Sequence, residues 1–367
     1  MIQERLLAWF DASHRDMPWR HTKDPYRILV AEVLLQRTRV VSGTPFYERF
    51  VSRFPTVQAL AAASEDEVLQ AWEGLGYYRR ARHLHTAAKT IVRDYHGRVP
   101  STATALGALP GIGPYTAGAV ASIAFGEPVP AVDGNVTRVL ARLFAVETDV
   151  TVQAGRSRIA ELARELVPGR RPGAFNQALM ELGATVCTPT RPSCPTCPLG
   201  ELCLACQAGL QDSLPRTRAA RPPKTVTVAF AFVRSRGRTL LVRRGDAGLL
   251  GGLWSLPGGE VPTGSDGRAM LRDLVAAQTG LHIDVREEVA QIAHTFSHRR
   301  WTGSVYRCVP VRRREPSAAA RWLTPQETRA MPLVPAHRQI LNELGSRRSL
   351  ESFVEAAPAR PKGRPYQ

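Results

Sequence analysis

The sequence predicts a protein of two domains, an all-α N-terminal domain followed by an α+β C-terminal domain. Three observations lead to this fold class. The chain has 367 residues, more than one typical domain needs. Apolar residues recur at helical spacing up to about residue 210, and beyond residue 224 they form short runs typical of strands. Between these halves, Ser213–Lys224 is basic, contains proline and has no apolar face, as expected for an exposed linker.

The N-terminal half contains a series of helical patterns, bounded by Gly, Pro, Ser and Asp residues that favour helix ends. The patterns span Ile28–Val41, Glu65–Trp72, Tyr77–Tyr95, Thr116–Phe125, Val136–Phe144 and Arg156–Leu166. No segment here alternates as a strand would. We therefore expect residues 1–212 to form a purely helical domain.

The C-terminal half combines strand-like segments with one helical pattern. The strand candidates are Lys224–Val233, Arg238–Arg244, Ile283–Ile292 and Trp301–Val311. Met270–Thr279 has helical spacing. We expect a linker over residues 213–225, an α+β domain over residues 226–345 and a disordered basic tail over residues 346–367.

The balance of charge indicates a polyanionic partner. Forty-nine Lys and Arg residues stand against 32 Asp and Glu, a net charge of +17. Basic side chains favour nucleic acid because neutralising phosphates releases counterions. The N-terminus lacks the pattern of a signal peptide, and the most apolar window, Ala117–Gly126, is too short to cross a bilayer. We therefore expect a cytoplasmic protein that binds nucleic acid and no membrane.

Four of the six cysteines follow the spacing C-x6-C-x2-C-x5-C, at Cys187, Cys194, Cys197 and Cys203. Without a secretion signal, disulfides are not expected. Four thiolates suit either Zn²⁺ or an iron–sulfur cluster. A zinc ribbon could instead pair Cys194/Cys197 with Cys203/Cys206, but only five residues would separate the pairs. The usual zinc pattern has about 15–20 there. The loop 187–206 therefore predicts a metal site.

A tight turn with two glycines precedes an apolar helix in LPGIGPYTAGAVASIAF, which begins at Leu109. Gly111 and Gly113 flank Ile112, and backbone N–H groups at the start of a helix can bind an anion. Twenty residues after Gly113, the segment AVDGNVTRVLARLF carries Asp133. Taken alone, this aspartate would be a helix N-cap.

Glu32 is a charged residue within an apolar helical run, PYRILVAEVLLQRTRV. At helical spacing its face includes Ile28, Leu29 and Leu35. Burial there would disfavour the charged form, raise the pKa of the carboxyl and let it act as a general acid near neutral pH. The alternative is a glutamate that reaches solvent or makes a structural hydrogen bond.

Taken together, these segments resemble a family of DNA-repair enzymes. The cysteine spacing resembles the [4Fe–4S] loop of the endonuclease III and MutY class of DNA glycosylases. L-P-G-I-G followed by V-D-G-N resembles the helix-hairpin-helix and the aspartate of the same superfamily. MPWR, DPYRILVAEVLLQ and WEGLGYYRRAR resemble the MutY-type adenine DNA glycosylases over nearly all of residues 1–210. The resemblance implies base excision repair by a nucleoid-associated monomer that releases adenine from 8-oxoguanine:A or G:A mispairs in double-stranded DNA.

The resemblance also implies roles for single residues. Glu32 would protonate adenine and Asp133 would stabilise the sugar cation, supported by Tyr115 and Asn135. The residues implied to line the adenine pocket are Trp19, Arg20 and Gln177. Those implied to contact or enter the DNA are Gln36, Arg37, Leu75, Tyr77, Gly111 and Gly113. Those implied to bind a [4Fe–4S] cluster are Cys187, Cys194, Cys197 and Cys203, with Cys206 spare and Arg191 in the ordered basic loop.

Two departures from the family patterns affect the predicted chemistry. Bifunctional members of the superfamily carry a lysine two residues after the second hairpin glycine, where this chain has Tyr115. A tyrosine cannot form a Schiff base, so we predict a monofunctional glycosylase. An endonuclease III-like lyase acting on oxidised pyrimidines is the alternative. The family's L-Q-Q-T is Leu35-Gln36-Arg37-Thr38 here, and Arg37 could bind a phosphate or stack on a base.

The C-terminal segment LVRRGDAGLLGGLWSLPGGEV resembles the start of a Nudix domain. Nudix hydrolases bind Mg²⁺ through glutamates of the next helix, which reads RDLVAAQTG here, with Ala276-Ala277 or Ala277-Gln278 replacing the glutamate pair. We therefore expect a Nudix-like fold without pyrophosphatase activity. In the MutY-type family this domain recognises 8-oxoguanine, and the resemblance implies Phe296, Ser297 and His298 as the recognition residues.

Two further hypotheses about the function are disfavoured by particular residues. A non-catalytic iron–sulfur DNA-binding protein would not need both Glu32 and Asp133. A Nudix pyrophosphatase with a helical appendage would need the missing glutamates.

Overall fold

A computed structural model of the chain describes residues 1–218, 222–245, 248, 250–262, 264–296, 298–312 and 314–355, with the side chains of 346–355 left out. The chain divides into two compact units, Met1–Ala220 and Arg221–Gln367. Throughout its described residues the first unit is helical, and the second combines a sheet with helices. The predicted fold class is therefore confirmed. Ser297 and residues 356–367 of the predicted tail lie outside the described residues.

The first unit consists of helices joined by short connections. Its α-helices are α1 (Ile2–Ser13), α2 (Pro25–Leu34), α3 (Val40–Arg53), α4 (Val57–Ala62), α5 (Glu65–Ala71), α6 (Arg79–Asp94), α7 (Ala103–Gly107), α8 (Pro114–Phe125), α9 (Gly134–Leu143), α10 (Gln153–Leu166), α11 (Pro172–Thr185) and α12 (Leu204–Gln207). Three 3₁₀ turns lie at Pro18–Arg20, Cys194–Thr196 and Gly200–Leu202. None of the described helices is long and apolar enough to cross a membrane.

Two helices that are apolar on nearly every side lie at the centre of this unit. In α2 every residue from Ile28 to Leu34 is buried, and in α8 every residue from Thr116 to Ile123 is buried. The two helices pack against each other, α2 also contacts α3 and α6, and α8 contacts α7 and α11. A helix without a polar face is expected in such a central position.

The helical run predicted over Ile28–Val41 is wrong in its second half. Helix α2 ends at Leu34, and α3 begins only at Val40. Arg37 between them has a left-handed backbone with φ of 58°. Apolar spacing continues across this turn, but Val41 is 85% exposed. Periodicity alone does not reveal a turn made by a residue other than glycine, because such residues rarely adopt positive φ.

The second unit contains a mixed sheet with helices. Its elements are β1 (Lys224–Ser235), β2 (Arg238–Arg243), β3 (Trp254–Ser255), β4 (Gly258–Glu260), α13 (Gly267–Thr279), β5 (Ile283–Thr295), β6 (Arg299–Pro310), β7 (Ala320–Leu323), α14 (Pro325–Ala330) and α15 (Pro335–Glu355). The strand order is β3-β2-β1-β6-β5, with β4 paired to β1 and β7 to β2. β1 is parallel to β6 and antiparallel to β2 and β4. Helix α15 continues past residue 346, where the sequence analysis begins the disordered tail.

A buried asparagine fixes the loop that leads from α8 to α9. The side chain of Asn176 accepts a hydrogen bond from the N–H of Ala131 at 3.1 Å and donates to the hydroxyl of Ser122 at 2.8 Å and the carbonyl of Val129 at 2.9 Å. The same loop lies directly against Gly118 of α8, since a Cβ there would be 2.1 Å from the carbonyl oxygen of Pro130.

We expect Gly118→Ala to destabilise the protein by about 1–3 kcal/mol, because the new methyl group would overlap a backbone carbonyl. Gly107→Ala is the matched control, since no atom lies within 4 Å of the Cβ it would add. Thermal unfolding of both variants tests this expectation. Equal melting temperatures for Gly118→Ala and Gly107→Ala would contradict the close approach.

Candidate active site

The candidate general acid, Glu32, lies in the last turn of α2. This helix begins at Asp24, whose side chain accepts the N–H of Tyr26 at 2.9 Å, and Pro25 occupies its first position. Glu32 is only 7% exposed. The hydroxyl of Tyr115, in the first turn of α8, donates a hydrogen bond to its carboxylate. The α2–α8 contact therefore places a phenol and a buried carboxyl side by side.

The electrostatics of Glu32 place its titration near neutral pH. Burial raises its pKa to about 7, and the nearby charge of Asp133 acts in the same direction. The hydrogen bond from Tyr115 and the charge of Arg20 partly oppose this shift by favouring the carboxylate. A carboxyl with this pKa is partly protonated at neutral pH and can donate a proton.

The second carboxyl, Asp133, is the N-cap of α9. Its Oδ1 accepts the N–H of Val136 at 2.7 Å, and its Oδ2 accepts the amide of Asn135 at 2.8 Å. Burial raises the pKa of Asp133, while these N–H donors and the charge of Arg138 lower it. Asp133 is therefore both the N-cap of α9 and a neighbour of Glu32. The N–H of Val136, the amide of Asn135 and the charge of Arg138 each favour its carboxylate form.

Arg138 joins the carboxyl site to the cysteine loop and was not singled out by the sequence analysis. Its Nη2 donates to Oδ1 of Asn135 at 2.8 Å and to the carbonyl of Gly183 at 2.7 Å, and its Nε donates to the carbonyl of Cys187 at 2.7 Å. Arg142, four residues further along α9, is buried. Two arginines four residues apart in α9 were the available signal.

The cysteine loop packs against α9 and α11 through Cys187, Cys197 and Cys203. The side chain of Arg142 donates one N–H to the sulfur of Cys187 at 3.3 Å. The thiol of Cys203 donates to the backbone carbonyl of Arg142 at 3.4 Å. Cys194 interacts with Cys187, Cys203 and Cys206, so the thiols converge on one region. Burial raises the pKa of Cys197 to about 11, which favours the protonated thiol when no metal is bound.

Within the described residues, no group of three or more His, Cys, Asp or Glu side chains is arranged to hold a single metal ion. The converging donors are all sulfur atoms, without a carboxylate or imidazole among them. This donor set fits an iron–sulfur cluster, whose four irons keep their ligands further apart than one ion does.

Arg20 is the adenine-pocket candidate that the structure brings to Glu32. Its Nη2 donates to Glu181 at 2.9 Å and its Nη1 to the carbonyl of Arg15 at 2.7 Å. Glu181 is 1% exposed, and although burial acts to raise its pKa, three N–H groups of Arg15 and the charge of Arg20 lower it overall. The Nε of Arg20 is buried and has no hydrogen-bond partner among the described residues.

The other pocket candidates contact different neighbours. Trp19 is buried in the turn Pro18–Arg20 and meets the ring of Tyr47 edge-on, with centroids 5.2 Å apart. Gln177 is partly buried and donates to the carbonyl of Gly173 in its own helix at 3.3 Å. Of the three adenine-pocket candidates, Arg20 is therefore the one whose interaction with Glu32 is seen directly in the structure.

The hairpin before α8 has the geometry that its glycines predict. Gly111 has φ of +76°, and a Cβ there would be 2.3 Å from the Cβ of His83. Ile112 between the glycines is buried, and Gly113 is followed by Pro114 at the first position of α8. The backbone of this turn consequently remains uncovered at its glycines.

The DNA-contacting candidates after α2 and α5 are close to each other. Tyr77 has φ of +49°, is 44% exposed and lies under the guanidinium of Arg37, 5.7 Å from the ring centroid. Leu75 precedes it and is half-buried. Gln36 instead points to α8, where its amide donates to the hydroxyl of Thr116 at 3.0 Å. Arg37, whose role the sequence leaves open, thus stacks on a protein ring.

In the second unit, the recognition candidates lie at the β5–β6 turn. Phe296 packs between His294 and Trp301, with ring centroids 4.5 and 4.9 Å away, and His298 is exposed. Ser297 lies outside the described residues. In α13, the amide of Gln278 both accepts from the N–H and donates to the carbonyl of Gly258, each at 2.9 Å. A neutral side chain therefore binds backbone at one of the positions predicted for a metal-binding glutamate.

Comparisons with known proteins cover both units. Residues 30–175 match the family described as HhH-GPD superfamily base excision DNA repair protein, and residues 228–343 match the NUDIX domain. The adenine DNA glycosylase of Rattus norvegicus is 37% identical over 397 residues, which cover 92% of this chain and 77% of that protein. That of Mycobacterium tuberculosis is 44% identical over 195 residues, covering 53% and 64%. A solved thermostable thymine-DNA glycosylase superposes with a TM-score of 0.52 at 34% identity, covering 56% of this chain and 95% of the other.

Removing the hydroxyl of Tyr115 should raise the pKa of Glu32 further above about 7, because this hydrogen bond favours the carboxylate. The measurement is a titration of the Glu32 carboxyl by carbon NMR in Tyr115→Phe, with Glu32→Gln to assign the signal. Tyr95→Phe, at the end of α6, serves as the control. An unchanged or lowered pKa in Tyr115→Phe would show that the hydrogen bond does not act on Glu32.

Proposed function

Because the chain belongs to the adenine DNA glycosylase family, we propose that it removes adenine mispaired with 8-oxoguanine or guanine in double-stranded DNA and leaves the strand uncut. The observation that carries this proposal is the pairing of Glu32, with a pKa of about 7, and the hydrogen-bonded Asp133 in one site. Two carboxyls in different environments can serve as an acid and as a stabilising anion.

The reaction begins with a proton from Glu32. Adenine is a poor leaving group until its N7 is protonated, and a neutral, buried carboxyl supplies that proton near pH 7. Arg20, whose charge acts on Glu32, would contact the extruded base together with Trp19 and Gln177. An enzyme acting on a base inside a duplex must first take that base out of the stack, which is the role of Leu75 and Tyr77.

Cleavage of the C–N bond then leaves positive charge on the sugar. The carboxylate of Asp133 stabilises this oxocarbenium-like state, in the way the second carboxylate of a retaining glycosidase does. Asn135 and the N–H of Val136 hold the carboxylate in place. Water finally adds at C1′ and yields an abasic site.

Tyr115 accounts for the absence of strand cleavage. Burial raises its pKa well above the ordinary value, so its hydroxyl stays neutral and bound to Glu32. No amine stands at this position to attack the sugar. A lyase requires such a nucleophile to form a Schiff base.

A [4Fe–4S] cluster bound by Cys187, Cys194, Cys197 and Cys203 would complete the DNA-binding surface. The converging thiols and the hydrogen bond from Arg142 to Cys187 support this assignment. Bound there, the cluster would order the loop that carries Arg191, and the carboxyls of Glu32 and Asp133 would carry the reaction. Metal and sulfide analysis of the purified protein should find equal amounts of iron and acid-labile sulfide, and no zinc.

Glu32→Gln should lower the rate of adenine release by about 10²–10⁴-fold, because it removes the proton donor. Duplex affinity should stay unchanged. The assay is single-turnover release from a labelled duplex with one 8-oxoguanine:A pair, scored with and without alkali, beside a binding titration. Glu48→Gln, an exposed glutamate of α3, is the control. Full activity of Glu32→Gln would overturn the role of Glu32. Strand cleavage without alkali, or cleavage only of oxidised pyrimidines, would favour the lyase.

Phe296→Ala should reduce the preference for 8-oxoguanine:A over G:A, because the ring packs against Trp301 and supports the recognition turn. The measurement is the ratio of single-turnover rates on the two duplexes. Val309→Ala, an exposed apolar residue of β6, is the control. An unchanged ratio in Phe296→Ala would remove this turn from lesion recognition.

A further inference from the structure

The guanidinium of Arg80 binds the carboxyl-terminal end of the helix that carries Glu32. Its Nη1 donates to the carbonyls of Leu34 at 2.8 Å and Val33 at 3.2 Å, and also to the carbonyl of Gln36. The last carbonyls of an α-helix have no partner within the helix, and a cation there is favoured by the helix dipole. Arg80, from α6, supplies both the donors and the charge.

The same guanidinium also binds the loop proposed to enter the DNA, residues 75–77, which we call the wedge loop. Its Nη2 donates to the carbonyl of Gly76 at 3.2 Å. Its planar group lies 5.3 Å from the ring centroid of Tyr77 and 5.4 Å from that of Trp72. Trp72 is fully buried and donates from its indole to the same carbonyl of Gly76 at 3.1 Å. The wedge loop is thus fixed to a buried anchor through Arg80 and Trp72.

One side chain therefore connects two segments, Val33–Gln36 and Gly76, that are far apart in sequence. Burial lowers the pKa of Arg80 to about 10, so the guanidinium still carries its charge at neutral pH. A half-buried charge needs its hydrogen bonds. A displacement of the wedge loop changes the bond to Gly76 directly, and it changes the bonds to the end of α2 when the guanidinium follows Gly76. Glu32 lies two residues before Leu34, within the turn whose carbonyls Arg80 holds.

We propose that Arg80 is a positioning residue that couples the wedge loop to Glu32. Insertion of Leu75 and Tyr77 into the duplex fixes Gly76, Arg80 transmits this constraint to the end of α2, and the Glu32 carboxyl is held in line for proton transfer. This inference rests on the proposed function, because it needs an enzyme that extrudes adenine and protonates it.

The test compares Arg80→Met and Arg80→Lys with the wild type on an 8-oxoguanine:A duplex. We expect Arg80→Met to lower the single-turnover rate by about 100-fold, since misplacement of a reacting group by about 1 Å has an effect of this size. Duplex affinity should change less than the rate. Arg80→Lys, which keeps the charge and loses the fork, should recover part of the rate. Arg93→Met, at the exposed end of the same helix, removes an equal charge and should match the wild type.

A double-mutant cycle with Leu75→Ala separates coupling from a general structural effect. If Arg80 transmits the action of the wedge loop, the double variant should be no slower than the slower single variant. The proposal would be overturned if the rate losses of the two single variants multiplied in the double variant. It would also be overturned if Arg80→Met lost as much duplex affinity as it lost rate. If Arg80→Met does not fold, the cycle is run with Arg80→Lys under the same criteria. Failure of the proposed function would be separate, because wild type and Arg93→Met would then release no adenine.

Discussion

A carboxyl group surrounded by apolar side chains costs free energy unless it is protonated or receives hydrogen bonds. In this chain that group is Glu32, and its burial requires the rest of the site. The apolar faces of α2 and α8 keep water away from it, and a hydrogen bond from Tyr115 limits the rise in its pKa together with the charge of Arg20. Asp133 raises the pKa of Glu32 through its charge while being held by its own donors. The two carboxyls consequently lie in different electrostatic environments.

Arginines that bind the backbone hold these parts together. Arg80 and Arg142 bind backbone carbonyls, and Arg138 binds both carbonyls and the side chain of Asn135. A guanidinium offers up to five N–H donors in one fixed plane, whereas a lysine offers three on a single rotating atom. The net charge of +17 therefore includes cations that face the protein interior. A count of charges predicts a polyanion partner, but it overstates how many basic side chains are free to meet phosphates.

Apolar periodicity predicted α5, α6, α8, α9, α10, the first part of α2 and the longer strands, but it did not predict α1 or α11. The pairing of Glu32 with Asp133 followed from family resemblance. The break after Leu34 did not, because Arg37 adopts a backbone conformation that its residue type rarely takes. Arg80 and Arg138 were also missed. Their partners are carbonyls, which every residue carries, so the sequence contains no complementary signal for them. The contact of Arg20 with Glu181 joins residues 161 positions apart, and only the fold brings them together.

The most direct measurement is the pH dependence of single-turnover adenine release by the wild type. If the protonated Glu32 is the acid, the rate should fall about tenfold for each pH unit above about 7, because only the protonated fraction reacts. Tyr115→Phe should move this decline to higher pH. A rate that is constant from neutral to strongly alkaline pH, or a decline unaffected by Tyr115→Phe, would show that a group other than the buried Glu32 carboxyl delivers the proton.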